Sequence, residues 1–403
     1  MHLLKVIMCL VMSGLIASCA TPTRDLSQQD IENAFEGYVA DYMSELAAIS
    51  DKSVARLKVE YLRQPELQSY DVLVLSGGGE YGAFGAGFLK GWGTIESGEF
   101  TRPDFDSVSG ISTGSLIAPF AFVGSEEAYD SVLQIYRNPD EDWVVARGIL
   151  SFLFGDRAYY DAGKLHQRIR ESITPDLIQS LAKGSAQNKS LLVGATNLDY
   201  GMMRVWDLSR IAARLNESDA AEEITNRLIA SSAIPAVFPP VNIGNFLYVD
   251  GGASMQVVSG LENREWLYQD KTSGIEFADP ETAPLRIRIW VLVNNKLLME
   301  PEITSPTWSA IATRSLASLT RASTLQTLQD IETYSQMINS RPEFDVRMFY
   351  VAIPQGINIP ETKNLFDAKK MQDLADLGEK MGANPASWRA RAVRPGAPIP
   401  EDL

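Results

Sequence analysis

The chain has 403 residues, 45% apolar and 22% charged, which is enough for one large core with appendages at its ends. Its 36 basic and 51 acidic residues leave a net charge of −15 with no Lys/Arg block, which excludes nucleic acid as a partner and gives no electrostatic hold on anionic lipid. Only two cysteines (Cys9, Cys19) and two histidines (His2, His166) are present, which excludes a disulfide framework, a zinc finger and a Cys/His metal cage.

In chain order, Met1 to Cys19 reads as a basic start, a short apolar run from Val6 to Ile16, and small residues before a cysteine. The run is too short to span a bilayer and has the proportions of a secretory signal over residues 1–18. Ile16-Ala17-Ser18-Cys19 resembles the bacterial lipobox, which implies cleavage before Cys19 and its acylation with palmitate-type chains. An ordinary signal cleaved nearby is the alternative. Several acyl chains make a lasting membrane anchor, and Ala20, where the inner-membrane retention signal has Asp, implies a lipoprotein of the outer membrane. Residues 19–66 are then a tether and an amphipathic helix, with Ile31, Phe35, Tyr38, Val39, Tyr42, Met43 and Leu46 at steps of three and four. Glu36, Asp41 and Glu45 stand where a membrane-surface helix wants cations, so the helix is expected to pack on the main domain.

The main domain is expected over residues 67–360. Val72–Leu75 is a continuous apolar run that suits a strand buried on both faces, followed by a Gly-rich turn and a small-residue helix through Trp92. Strands follow at 105–109, 191–196, 203–206, 246–249, 285–293 and 344–353, with helices at 113–123, 220–229 and 308–338, and mainly helical and irregular chain over 124–185. Residues 361–403 hold a last helix (367–381) and a Pro-rich tail. Strands alternating with helices predict an α/β protein, a sandwich with a mostly parallel central sheet.

Three constellations fall at strand ends, where sites assemble in open α/β sheets. Gly77-x-Gly79-x-x-Gly82 follows a strand and opens a helix, so its backbone amides can approach an anionic atom. The pattern also matches a dinucleotide fingerprint, but the acid wanted at the end of the next strand is absent, since Asp104 and Asp106 precede that strand. Gly110-Ile111-Ser112-Thr113-Gly114 is a GxSxG between a strand and a helix, the setting of a nucleophile elbow; a tight turn with a capping Ser is the plainer reading. Asp250-Gly251-Gly252 ends a strand, and alone it reads as an ordinary turn. A base for Ser112 is needed, and His166, in a helical stretch, is poorly placed. The economical arrangement pairs Ser112 directly with Asp250 as nucleophile and general base, with partial burial raising the carboxyl pKa. The amides of the Gly77–Gly79 loop would hold the oxyanion.

This order of motifs, with no usable histidine, resembles the patatin-like phospholipase family across about residues 70–355. Gly194-Ala195-Thr196-Asn197-Leu198-Asp199 and Ser231-Ser232-Ala233-Ile234-Pro235 through Pro240 are similar to the family's segments before its catalytic Asp. The resemblance implies a three-layer α/β/α sandwich and a serine esterase of phospholipase A type that cleaves acyl esters of lipids, often phospholipids, with no metal and no cofactor. Carried across, Ser112 is the nucleophile, Asp250 the base, Gly77, Gly78 and Gly79 the oxyanion loop, and Gly82, Gly110, Gly114, Gly251 and Gly252 support the motifs. Tyr81 stands where the family usually has Arg or Lys, and Ser76 where it often has Asp, which puts in question any use of a cation in the loop. Asp140-Glu141-Asp142 reads as a solvated loop, not a calcium site. Apolar Gly148–Gly155, with Phe152 and Phe154, is either core or an acyl-chain groove. A non-catalytic envelope lipoprotein and an acyltransferase using the same dyad are the competing functions; the second shares the acyl-enzyme.

Overall fold

The computed structural model describes residues 24, 26–63, 69–140, 142–146, 158, 160–258, 284–360, 362 and 365–393. The signal and lipobox at 1–19, Glu141, the apolar stretch 148–155 and the tail from 394 lie outside the described residues.

The centre is an eight-stranded mixed sheet. β1 (Ser69–Leu75), β2 (Ser107–Ile111), β5 (Ser190–Asn197), β9 (Leu285–Val293) and β10 (Phe344–Ala352) run parallel in the order β10-β9-β1-β2-β5. β6 (Met202–Asp207), β7 (Val241–Ile243) and β8 (Phe246–Asp250) are antiparallel additions at the β5 end, and β3 (Val145–Ala146) with β4 (Tyr160–Asp161) forms a separate small pair. The continuous apolar runs are explained by burial on two faces. In β1, Leu73 and Leu75 enter one core while Val72 and Val74 enter the other. The first core lies under α2 (Gly82–Trp92), α3 (Thr113–Val123), α4 (Glu126–Arg137), α5 (Gly163–Ser172), α6 (Pro175–Ala186), α7 (Leu208–Arg214), α8 (Glu217–Ser231) and α10 (Ala368–Gly382). The second lies under α9 (Trp308–Ile338) and the end of α1 (Gln28–Arg63). The result is the expected three-layer α/β/α arrangement.

Two elements depart from expectation. The last helix, expected beyond the main domain, is built into it. α10 lies so close to α2 that a Cβ on Gly87 would sit 2.1 Å from the Ala375 carbonyl oxygen, and one on Gly378 2.1 Å from that of Phe84. Glycines on both helices permit this approach. α1 does pack on the domain, but its contact stripe is Tyr38, Ile49 and Leu57, with Tyr42 and Leu46 partly buried, whereas Met43 is exposed and Phe35, also exposed, touches only the edge of the domain at the Tyr200 ring. Two of the three acids that argued against a membrane helix are docking groups, Asp41 pairing with Arg204 and Glu45 with Arg210 at 2.5 and 2.7 Å, while Glu36 is exposed. No described helix is long and apolar enough to cross a membrane.

Candidate active site

Register builds the site. β5 carries β6 along one edge; along the other it carries β2 up to the pair Ile111–Gly194, and then β8 from the pair Asp250–Ala195. β2 runs up and β8 runs down, so they meet end to end on neighbouring positions of one strand. The residue after β2 is Ser112 and the last of β8 is Asp250. Strand β8 therefore reaches the site antiparallel to β5, and its carboxyl end faces that of β2, so all three motifs sit at strand carboxyl ends as expected, although β8 arrives from the opposite direction.

Ser112 sits at φ 54, ψ −127 at the cap of α3, a backbone region costly for any residue with a Cβ. The glycines around it are there for clearance: a Cβ on Gly110 would lie 2.3 Å from the Gly114 carbonyl oxygen, and one on Gly114 2.4 Å from that of Leu75. The Ser112 amide donates to Ser231 Oγ at 3.1 Å, and that hydroxyl donates to the Gly194 carbonyl at 2.7 Å. Ser231 thus ties the nucleophile's backbone to β5. In the sequence it was only one of several small residues ahead of Pro235.

Asp250 is 4% exposed and held from three sides: its amide donates to the Ala233 carbonyl, its carbonyl accepts from Thr196 Oγ1, and its Oδ1 accepts from the Gly252 amide at 2.7 Å. Oδ2 is buried and accepts no hydrogen bond from the described residues. The Ser112 hydroxyl lies near enough to favour the ionised form, yet short of a formed bond. Burial is the larger influence and pushes the Asp250 carboxyl up to about 7, against Ser112 and the Gly252 amide. His166 sits on α5, half-buried, and takes no part in the surroundings of Asp250.

The Gly-rich loop passes beside Ser112, where a Cβ on Gly77 would lie 3.2 Å from that of Ser112. Gly77 is not the free donor expected from the sequence, because its amide already donates to the Gln256 carbonyl at 3.3 Å. The amides of Gly78 and Gly79 have no acceptor among the described residues. Gly79, at φ 58, faces open space. The loop is braced from β9 by Asn294, whose amide donates to Ser76 Oγ and whose side chain donates to the Ser76 carbonyl. Gly82 is needed for closeness, since a Cβ there would lie 2.1 Å from Thr113 Oγ1. Gly251 and Gly252 turn the chain away past Gly194 and Gln256.

Beneath Ser112 an apolar cavity opens between α3, α4, α5 and α8, lined by Leu116, Phe120, Ile135, Ile169, Leu228 and Phe238 among others, with Arg168 as its charged member. Asp140 accepts from Trp143 Nε1 at 3.0 Å and Asp142 pairs with Lys164, so both carboxylates have protein partners.

A buried serine and a buried carboxylate thus lie together where a strand, a tight turn and a helix meet on a three-layer sheet. Residues 73–258 match the family model Patatin-like phospholipase, and this stretch is a patatin-like phospholipase domain. The match runs from β1 to just past Asp250 and takes in all three motifs. An uncharacterized protein, R571 of Acanthamoeba polyphaga mimivirus, is 28% identical over 209 residues, which is 51% of this chain. The chain spans 65% of the length of that relative. Among solved structures, VipD from Legionella pneumophila aligns over 80% of this chain and 68% of its own at 11% identity, with a TM-score of 0.33.

Proposed function

We propose that the protein is a lipid-anchored serine acyl hydrolase that cleaves acyl esters of lipids through Ser112 and Asp250. The family match supports lipid hydrolysis, and the end-to-end meeting of β2 and β8, which leaves Asp250 Oδ2 buried, unbonded and beside Ser112, is the observation that carries the dyad. In this mechanism the Ser112 hydroxyl gives its proton to Asp250 as Oγ attacks the ester carbonyl. The amides of Gly78 and Gly79 take up the negative charge on the carbonyl oxygen. Each such donor is worth about 3 kcal/mol in the transition state. The protonated Asp250 then delivers the proton to the departing alcohol, leaving an acyl-Ser112 ester. Water, deprotonated by Asp250 in turn, hydrolyses that ester and frees the fatty acid. The apolar cavity under Ser112 accepts the acyl chain. Cys19, acylated, would hold the domain at the outer membrane of a bacterial envelope.

The test is covalent labelling with a fluorophosphonate probe. Wild type is expected to label and Ser112→Ala is not, with ester turnover falling by at least about 10³-fold. Undiminished labelling of Ser112→Ala would sink the dyad. Metabolic incorporation of labelled palmitate, lost in Cys19→Ser, checks the anchor separately.

A further inference from the structure

Every buried lysine and arginine among the described residues has a carboxylate beside it: Lys189 has Asp104, Arg204 has Asp41, Arg288 has Asp345, Lys296 has Glu300 and Lys370 has Glu80. Arg321, half-buried on α9, has none. It forms no ion pair among the described residues, and its one hydrogen bond there runs from Nη2 to Asn295 Oδ1. Its Nε is buried and has no hydrogen-bond partner among the described residues. Arg321 opens into a polar depression with Tyr81, Asn295, Lys296 and Arg314. The two acids there are already taken, Glu300 by Lys296 at 2.5 Å and Glu302 by Arg314 at 2.7 Å. A cation withdrawn from water without a counter-charge is costly, and burial indeed pushes the Arg321 guanidinium below its usual pKa. Such a group fits a site that is completed by an anion.

Position says which anion. Tyr81 belongs to the turn of the Gly-rich loop, Gly79–Tyr81. Gly79 borders the apolar cavity that holds Ser112, and Tyr81 borders the Arg321 depression. A 3₁₀ turn rises only about 2 Å per residue, so the two recesses lie on either side of one short loop. Resting on the hydrolase reading above, we infer that Arg321 receives the phosphodiester of a glycerophospholipid whose acyl chain occupies the cavity under Ser112. A guanidinium suits phosphate oxygens in charge and in donor geometry. The loop itself offers no cation, since Tyr81 stands where one would come; α9, from outside the family match, supplies it. The chain's net charge of −15 disfavours gathering anions at a distance, so recognition falls to this local contact.

The experiment compares the full chain on two monomeric substrates, dihexanoyl phosphatidylcholine and dihexanoylglycerol. In Arg321→Gln the ratio of kcat/KM for the phospholipid over the diglyceride is expected to fall at least tenfold, mainly through KM, with Arg321→Lys intermediate. The melting temperature of Arg321→Gln without substrate should stay level or rise, because a lone buried charge has gone. An unchanged ratio, or a melting temperature that drops by several degrees, overturns the assignment. Calorimetric titration of the Ser112→Ala protein separates the sources of phosphate. Dihexanoyl phosphatidylcholine should bind and lose at least tenfold in affinity on adding Arg321→Gln; equal binding of inorganic phosphate would overturn the head-group claim. Should wild type turn over neither ester, the hydrolase reading fails, while the titration still reads the phosphate contact.

Discussion

Asp250 is where reactivity and stability pull apart. Its carboxyl titrates near 3.8 in the unfolded chain and at about 7 when folded, so between these values the folded state holds a proton that the unfolded state has lost. Stability contributed at this position therefore drains away as pH rises through that window, and above it the cost levels off on the order of 4 kcal/mol. In the proposed mechanism activity runs the other way, because only the ionised carboxylate could accept the Ser112 proton. The kcat/KM profile is expected to climb with pH to about 7 and then flatten. Asp250→Asn should abolish turnover yet raise the melting temperature by several degrees at pH 8, and by less at pH 5; a melting temperature lowered at pH 8 would contradict the buried-charge account. Ser112 and Asp250 were both readable from sequence because a strained turn and an acid at a strand end each leave a glycine signature. Ser231 and Asn294 were not, because a hydroxyl and an amide bonded to backbone leave no spacing to recognise.

The helices and strands show the same division between local and distant information. Apolar runs located β1, β5, β9 and β10, since burial on both faces imposes that composition; β2, with two serines and a glycine, lies at Ser107–Ile111, two residues beyond the expected 105–109. The direction of β8 could not be read, since strand orientation depends on which edge is free, and β2 vacates the edge of β5 only after Gly194. Nor did periodicity place α10 against α2. That packing reaches the Gly-rich loop. Glu80, in the turn after Gly79, is 8% exposed and accepts from Lys370 Nζ at 2.7 Å and from the Phe366 amide at 2.9 Å, both belonging to the C-terminal segment. Lys370 also lies over the Tyr81 ring at 4.7 Å. Burial alone would depress its ammonium, but Glu80 and Tyr81 hold it above the ordinary lysine value. Lys370→Met strands the Glu80 carboxylate and is expected to cost about 3 kcal/mol in urea unfolding. It should lower kcat more than it changes KM, by letting the loop amides drift. The double variant with Glu80→Gln should regain most of the stability. A Lys370→Met enzyme with full kcat would detach this pair from the loop.

Across the whole molecule, α1 acts as a strap stitched down by charge. Lys52 reaches Asp207 and Arg56 reaches Asp106, both acids buried at the sheet. Burial raises the Asp106 carboxyl while Arg56 opposes it. Arg56→Met should therefore destabilise by about 3 kcal/mol at pH 8. The loss should shrink as the medium is acidified, since the abandoned carboxyl then takes up a proton; denaturant midpoints at pH 8 and pH 5 measure the difference, and equal losses would refute it. The amphipathic period predicted this helix, but which of its polar residues meet partners depended on β6 and α7, far along the chain.

Ahead of the strap, Arg24 grips Asp199 just past the end of β5, and its Nη2 also donates to the Asn245 carbonyl at 2.5 Å. Five residue steps separate that clasp from Cys19, at most about 18 Å of chain. With Cys19 acylated as proposed, the mooring is short and is made fast at the rim that carries Ser112. An enzyme so berthed cannot roam the space between membranes, and its catchment is the leaflet in which its own fatty chains are sunk.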